Sequence, residues 1–120
     1  MDKHALTITV ESVDDLPVIR AEGELDLSTV PEMRPVVTAV TERQPRAIVF
    51  DFRGISYMDS SGLGILVSAK KRLGLYRGEV IVITQQSSVL KALSLSGLDQ
   101  ILRIYPTQEA YLGSKVGAAT

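Results

Sequence analysis

Two adjacent hydroxyls beside a carboxylate, Asp59-Ser60-Ser61, followed by Gly62, are the residues of this 120-residue chain with the best claim to chemistry. A serine in such a place could attack an electrophile, receive a phosphoryl group, or only accept a hydrogen bond from the free amides of a helix start. Nucleophilic catalysis needs a base, and the single histidine, His4, lies at the far edge of the chain, so a Ser-His-acid relay is not expected. With no cysteine and one histidine, neither a thiolate site nor a histidine-rich metal site is available. The carboxylates Asp14, Asp15, Asp26, Asp51 and Asp59 are scattered and read as turn and strand-end residues, so neither a metal nor another cofactor is expected. No GxxxxGKS/T or GxGxxG pattern marks a nucleotide cradle. Arg53-Gly54 could touch a phosphate, but after an apolar run it reads as a turn. Taken by itself, Ser60 reads as a helix cap.

The elements around Asp59-Ser60 explain why those hydroxyls would be held in place. Residues 47–52 are an apolar run that reads as a strand ending at Arg53-Gly54. Residues 57–74, YMDSSGLGILVSAKKRLG, then give a helix start at Asp59, Ser60 and Ser61 and an apolar face at Leu63, Leu66, Val67 and Leu73. Lys70, Lys71 and Arg72 fall at the far end, where the helix dipole is negative. Gly62 and Gly64 weaken the first turns, since a glycine inside a helix costs about 1 kcal/mol relative to alanine. The expectation is that a side chain at either position would obstruct a body approaching the serines.

Before that helix, Leu6, Ile8 and Val10 alternate with Thr7, Thr9 and Glu11, a half-buried strand. Asp14-Asp15 supplies turn chemistry, and residues 17–24 form the returning strand of an antiparallel hairpin, with Pro17 at its beginning. Residues 25–43 read as a helix with Val30, Met33, Val37 and Val40 inward, Thr29 and Glu32 as a capping box, and Pro35 either bending it or marking its regular start. Asp26 is expected near the same sheet end as Asp59, where a local turn or cap role would account for it. Val80 to Ile83 reads as a buried parallel strand; Ser87 and Ser88 cap a helix with Leu90 and Leu93 inward and Gly97 at its end. Ile101, Leu102 and Ile104 make a last strand, and residues 107–112 a last helix.

The fold class is therefore α/β: an N-terminal antiparallel hairpin leading into a mostly parallel sheet of about five strands, packed with about four helices. Helical crossovers make the later strands parallel, and binding features gather at their carboxyl ends, where Asp59-Ser60 lies. Residues 1–113 form one domain, and residues 114–120 are expected to be a flexible tail. Thirteen basic and 14 acidic residues, a net charge of −1 and no basic block exclude a nucleic-acid footprint. The opening MDKHALTITVE has no long apolar core, and no apolar run reaches the roughly 20 residues of a membrane span, so a soluble, cytoplasmic protein is expected.

MDSSGLG after an apolar strand resembles the signature of the anti-sigma factor antagonists, which are single STAS domains. GELD at residues 23–26, IVFDFRGISYMDSSGLG at 48–64, GEVIVI at 78–83 and LSGLDQILRIY at 95–105 fall in that family's order, so the resemblance covers nearly the whole chain. It implies no enzymatic activity. It implies that Ser60 is phosphorylated by a partner, with Ser61 the alternative acceptor, and that Asp26, Asp59, Ser60, Ser61 and Gly62 face the partner. That partner would be an anti-sigma factor serine/threonine kinase, bound by the unmodified chain so that the sigma factor is released; phosphorylation ends binding and a serine phosphatase restores it. Two other readings stand beside it: a STAS subunit of another assembly, such as a stress-signalling complex or a transporter, and a receiver-like domain phosphorylated on an aspartate. The last normally needs an acidic pair after the first strand and a lysine after the last, where Ile104-Tyr105-Pro106 has none. Arg77-Gly78 stands where relatives commonly carry Gly-Gly.

Overall fold

Asp14 and Asp15 both adopt positive φ, 52° and 64°, the signature of a two-residue turn whose twist matches that of the strands it joins. It connects β1 (Thr7–Val13) to β2 (Leu16–Leu25), with Val13 opposite Leu16. The computed structural model describes residues 6–119, and side-chain surroundings as far as residue 114; His4 lies outside these. After the hairpin come α1 (Val30–Thr41), β3 (Ala47–Met58), α2 (Ser60–Gly74), β4 (Glu79–Ile83), α3 (Ser87–Ser96), a 3-10 turn at Leu98–Gln100, β5 (Arg103–Tyr105) and α4 (Gln108–Ala119). The strands lie in the order β1-β2-β3-β4-β5, antiparallel between β1 and β2 and parallel elsewhere.

Residues 47–52 are buried on both faces because the sheet is covered on both. Ile48, Phe50 and Phe52 join Ile19, Val80 and Val82 under α1, α2 and α3, which contribute Met33, Val37, Leu66, Leu73 and Leu93. Val49, Val18, Ile81 and Ile83 form a smaller core on the other face, under Tyr111 of α4. The four inward residues expected of α1 are all buried, and Gly97 ends α3 at φ 80°.

Several expected boundaries move. Strand β3 does not turn at Arg53-Gly54; it continues to Met58 against β2, with Gly54 opposite Glu22 and Met58 opposite Leu25. Its neighbour β4 stops at Ile83, opposite Asp51. Beyond that point, side chains occupy the exposed carbonyls of β3: Gln86 Nε2 donates to Arg53 O at 3.0 Å, and Ser88 Oγ to Ser56 O at 2.5 Å. Ser88 is thus a strand contact and not a cap, and Gln86 at the N-cap makes no side-chain cap bond. Starting at Ser87, α3 turns Val89 and Leu93 inward and leaves Leu90 exposed. Helix α1 starts at Val30, later than expected, and runs through Pro35 without a break in its assignment. Ile101 and Leu102 precede β5, and α4 extends past Leu112 to Ala119. At the end of α2, Arg77 takes φ 65° in the place where relatives were expected to carry glycine.

Candidate functional site

The length of β3 decides where the serines sit. By carrying the chain to Met58 beside Leu25, it brings the Asp59 amide to the Leu25 carbonyl at 3.3 Å. Asp59 is extended, φ −107° and ψ −169°, and its Oδ1 accepts from Ser61 N at 2.8 Å and Gly62 N at 3.4 Å. Two of the orphan amides of α2 are thereby satisfied by a carboxylate at the positive end of the helix dipole. Ser60, the first residue of α2, is exposed, and its hydroxyl makes no hydrogen bond among the described residues. Ser61 is half-buried. Of the two hydroxyls, Ser60 is the more exposed.

The two glycines have different reasons. Gly62 is buried, and a Cβ there would come 2.6 Å from Met58 Cγ and 3.0 Å from both Leu25 Cγ and Leu25 O. Its lack of a side chain lets the first turn of α2 press onto the ends of β2 and β3, so the expectation that it keeps a path open from outside is corrected: the close approach is internal. Gly64 is exposed, with nothing within 4 Å of a Cβ. It lines an open groove of about 460 Å³ with Ser60, Leu63, Val67, Ser68, Lys71 and Leu98.

Asp26 follows β2 as Asp59 follows β3, and the Asp59–Leu25 bond joins the two loops. Its Oδ1 accepts from Ser28 N at 2.9 Å, Ser28 Oγ at 2.7 Å and Thr29 N at 3.2 Å. The Ser28 hydroxyl bond holds this carboxyl below its ordinary pKa, outweighing desolvation, and the Ser28 and Thr29 amides add to it. The expected capping box at Thr29 and Glu32 does not form. Thr29 is buried and points back, donating to Glu24 O at 2.7 Å and accepting from Asp26 N at 3.0 Å. Asp26 itself secures the entry to α1.

On the opposite face, Asp51 is 2 % exposed and lies between two guanidiniums. Arg53 donates Nε to Oδ1 at 2.9 Å and Nη2 to Oδ2 at 2.8 Å, and Arg20 donates Nε to Oδ2 at 2.9 Å. Burial pushes this carboxyl's pKa up, but the bonds and charge of Arg53 and Arg20 outweigh it and bring it down to about 2. Arg53 is therefore committed to Asp51 and not free for a phosphate, and Asp51 is enclosed where an aspartyl-phosphate acceptor would need to be open. Among the described residues, no group of three or more His, Cys, Asp or Glu is placed to hold a metal ion. Sequence reasoning missed this cluster, because Arg20 and Asp51 meet only through the pairing of β2 with β3. It also missed the groove at Gly64, whose walls come from α2 and the end of α3.

A family model described as STAS domain matches residues 7–110. Similar proteins include the anti-sigma F factor antagonist of Paenibacillus polymyxa, 33 % identical over 86 % of this chain and 89 % of that one. Among solved structures, an anti-sigma factor antagonist from Mycobacterium paratuberculosis superposes with a TM-score of 0.87 at 29 % identity, covering 94 % of this chain and 96 % of the other. The Bacillus cell fate determinant SpoIIAA in its phosphorylated form superposes at 0.70 with 26 % identity, covering 90 % and 98 %.

Proposed function

This chain belongs to the STAS domain family, and on that premise we propose that it is an anti-sigma factor antagonist, a regulatory binding protein and not an enzyme, switched by phosphorylation of Ser60. In this reading the unmodified chain binds an anti-sigma factor that is also a serine kinase, in the cytoplasm, and so frees a sigma factor. Phosphate on Ser60 ends binding, and a serine phosphatase resets the switch. Partner contacts centre on Ser60, Ser61, Asp59 and the Asp26 loop, with Gly62 acting by seating the helix and Gly64 by leaving its groove open. The observation that carries the choice of residue is the exposed, unbonded Ser60 hydroxyl beside a half-buried Ser61. The phosphorylated Bacillus relative is a protein of the same fold that takes a phosphate.

Magnitudes place the switch at the interface and not in the fold. A phosphoserine adds about −1.5 to −2 charges at pH 7. The helix dipole favours an anion at α2's start by about 0.3–1 kcal/mol, but Asp59 Oδ1 already holds the Ser61 and Gly62 amides that would otherwise bind the phosphate. Repulsion from Asp59, at roughly 6 Å in water, is on the order of 1 kcal/mol. These opposing effects leave a stability of about 5–15 kcal/mol nearly unchanged. Buried against a partner surface fitted to a neutral hydroxyl, the same charge costs several kcal/mol, on the order of a hundredfold or more in affinity. Incubation with candidate anti-sigma kinases, with the phosphosite mapped by mass spectrometry, should place acid-stable phosphate on Ser60. Ser60→Asp should melt within a few degrees of the wild type yet bind the kinase far more weakly, while Ser60→Ala still binds. Phosphate confined to Ser61 would move the site, and a Ser60→Asp variant that binds as tightly as the wild type would overturn the mechanism.

A further inference from the structure

Where two arginines converge on the sheet, a carboxylate lies between them. Arg20 and Arg53 share Asp51, and Arg103 pairs with Glu79 at 3.2 Å. The cleft between α1 and α2 is different. Arg34 from α1 and Arg72 from α2 both line it, with the hydroxyl residues Thr38 and Ser68 and an apolar floor of Val37, Ile65 and Ala69. Among the described residues neither arginine has a carboxylate within ion-pair distance; Arg72 reaches only Thr41 Oγ1, at 3.4 Å. Two arginines lining one small space can offer a carboxylate the paired N–H donors that arginine presents, as Arg20 and Arg53 do at Asp51. Here no residue among those described supplies the carboxylate.

We propose that this cleft receives an aspartate or glutamate side chain of the protein partner. The inference rests on the antagonist reading above and extends its contact surface. Size limits the occupant: the cleft measures about 50 Å³, and at roughly 10–15 Å³ per water this is room for a few waters, a carboxylate and its methylene, and far too little for a nucleotide. Position identifies the source. Ser60, Gly64 and Ser68 recur every four residues along the outer side of α2, and Ser68 lines both this cleft and the groove that contains Ser60. Ser68 lies about 12 Å along the helix from Ser60. A protein lying over Ser60 and along that groove therefore reaches the cleft without leaving the surface. A free anion would have no such continuity to use.

Two probes test it on the whole chain, labelled with 15N. The first is a capped peptide of four glutamates flanking a leucine, compared at equal ionic strength with its glutamine counterpart and with inorganic phosphate. The glutamate peptide should shift the Nε–Hε resonances of Arg34 and Arg72 saturably, and bind about tenfold more tightly than either control. Arg34→Gln and Arg72→Gln, both exposed positions, should each weaken it by about threefold or more. Equal binding of the glutamine peptide, shifts that bypass both arginines, or indifference to both substitutions would overturn the proposal. Phosphate binding as tightly as the peptide would mark a free-anion site and overturn the protein occupant. The second probe is an anti-sigma kinase that the wild type binds. The double variant Arg34→Glu, Arg72→Glu should lose about tenfold or more in affinity while melting like the wild type, and a charge-reversed acidic residue on the kinase should restore it. Unchanged affinity of the double variant rejects the proposal. If no anti-sigma kinase binds even the wild type, the antagonist reading fails, and the peptide measurements still decide what the cleft takes.

Discussion

Replacing Gly64 and Gly62 by alanine, one at a time, should move stability in opposite directions. Both lie in the first turns of α2, and alanine in place of glycine in a helix gains about 1 kcal/mol from backbone entropy in either case. At position 64 nothing lies within 4 Å of the new Cβ, so the gain stands, less whatever the groove loses in hydration. At position 62 the Cβ would sit 2.6 Å from Met58 Cγ and 3.0 Å from the Leu25 carbonyl oxygen. Met58 is buried and the carbonyl belongs to the β2 backbone that accepts from Asp59, so neither can withdraw freely. Overpacking of this kind costs about 1–3 kcal/mol. The net expectation is a gain of about 0.5–1 kcal/mol for Gly64→Ala and a loss of up to about 2 kcal/mol for Gly62→Ala. For a domain of this size 1 kcal/mol corresponds to about 4 °C. Thermal melts followed by far-UV circular dichroism should therefore show Gly64→Ala rising by a few degrees and Gly62→Ala falling below the wild type. Because the propensity gain is common to both, their difference isolates packing at the Leu25–Met58 seat. Equal increases in Tm for the two variants would refute the argument that Gly62 is there for close approach.

Three more outcomes follow from the same contacts. Gly64→Leu should fill part of the groove beside Ser60, weakening kinase binding by about tenfold or more with the fold intact by circular dichroism; unchanged affinity would remove the groove from the interface. Thr29→Val keeps the shape but leaves the Asp26 amide without its acceptor, so urea unfolding should show a loss of about 1–3 kcal/mol. Asp51 has a pKa of about 2 in the folded chain against about 3.9 unfolded, so its contribution is present above the unfolded value and lost as pH falls through the folded one. That contribution amounts to about 2–3 kcal/mol and should disappear between about pH 5 and pH 1. Urea unfolding of the wild type and Asp51→Asn across that range should converge at low pH; a constant gap would show that Asp51 is not held by its charge.

Sequence alone determined the elements whose signals are local. A short apolar run rich in β-branched residues reads as a strand covered on both faces, paired aspartates with turn chemistry close a hairpin, and Asp59 before an amphipathic stretch caps a helix, because each depends on residues within a few positions of one another. The motif MDSSGLG was legible for the same reason, and with it the fold class and the candidate hydroxyl. Tertiary structure decided what depends on distant partners. Strand β3 outran its apolar run because β2 and the side chains of Gln86 and Ser88 satisfy its later backbone groups. Thr29 and Ser88 left their expected capping roles because carbonyls of Glu24 and Ser56 were within reach. Gly62 and Gly64, equivalent in sequence, parted because helical periodicity turns one toward Leu25 and Met58 and the other to solvent. Likewise Arg20 and Arg53 found Asp51 across the sheet, while Arg34 and Arg72 came to line one cleft between two helices, with no carboxylate in ion-pair range among the described residues. A side chain's neighbours along the chain are fixed by its sequence, but its neighbours across a sheet or between helices are fixed only when the whole chain packs.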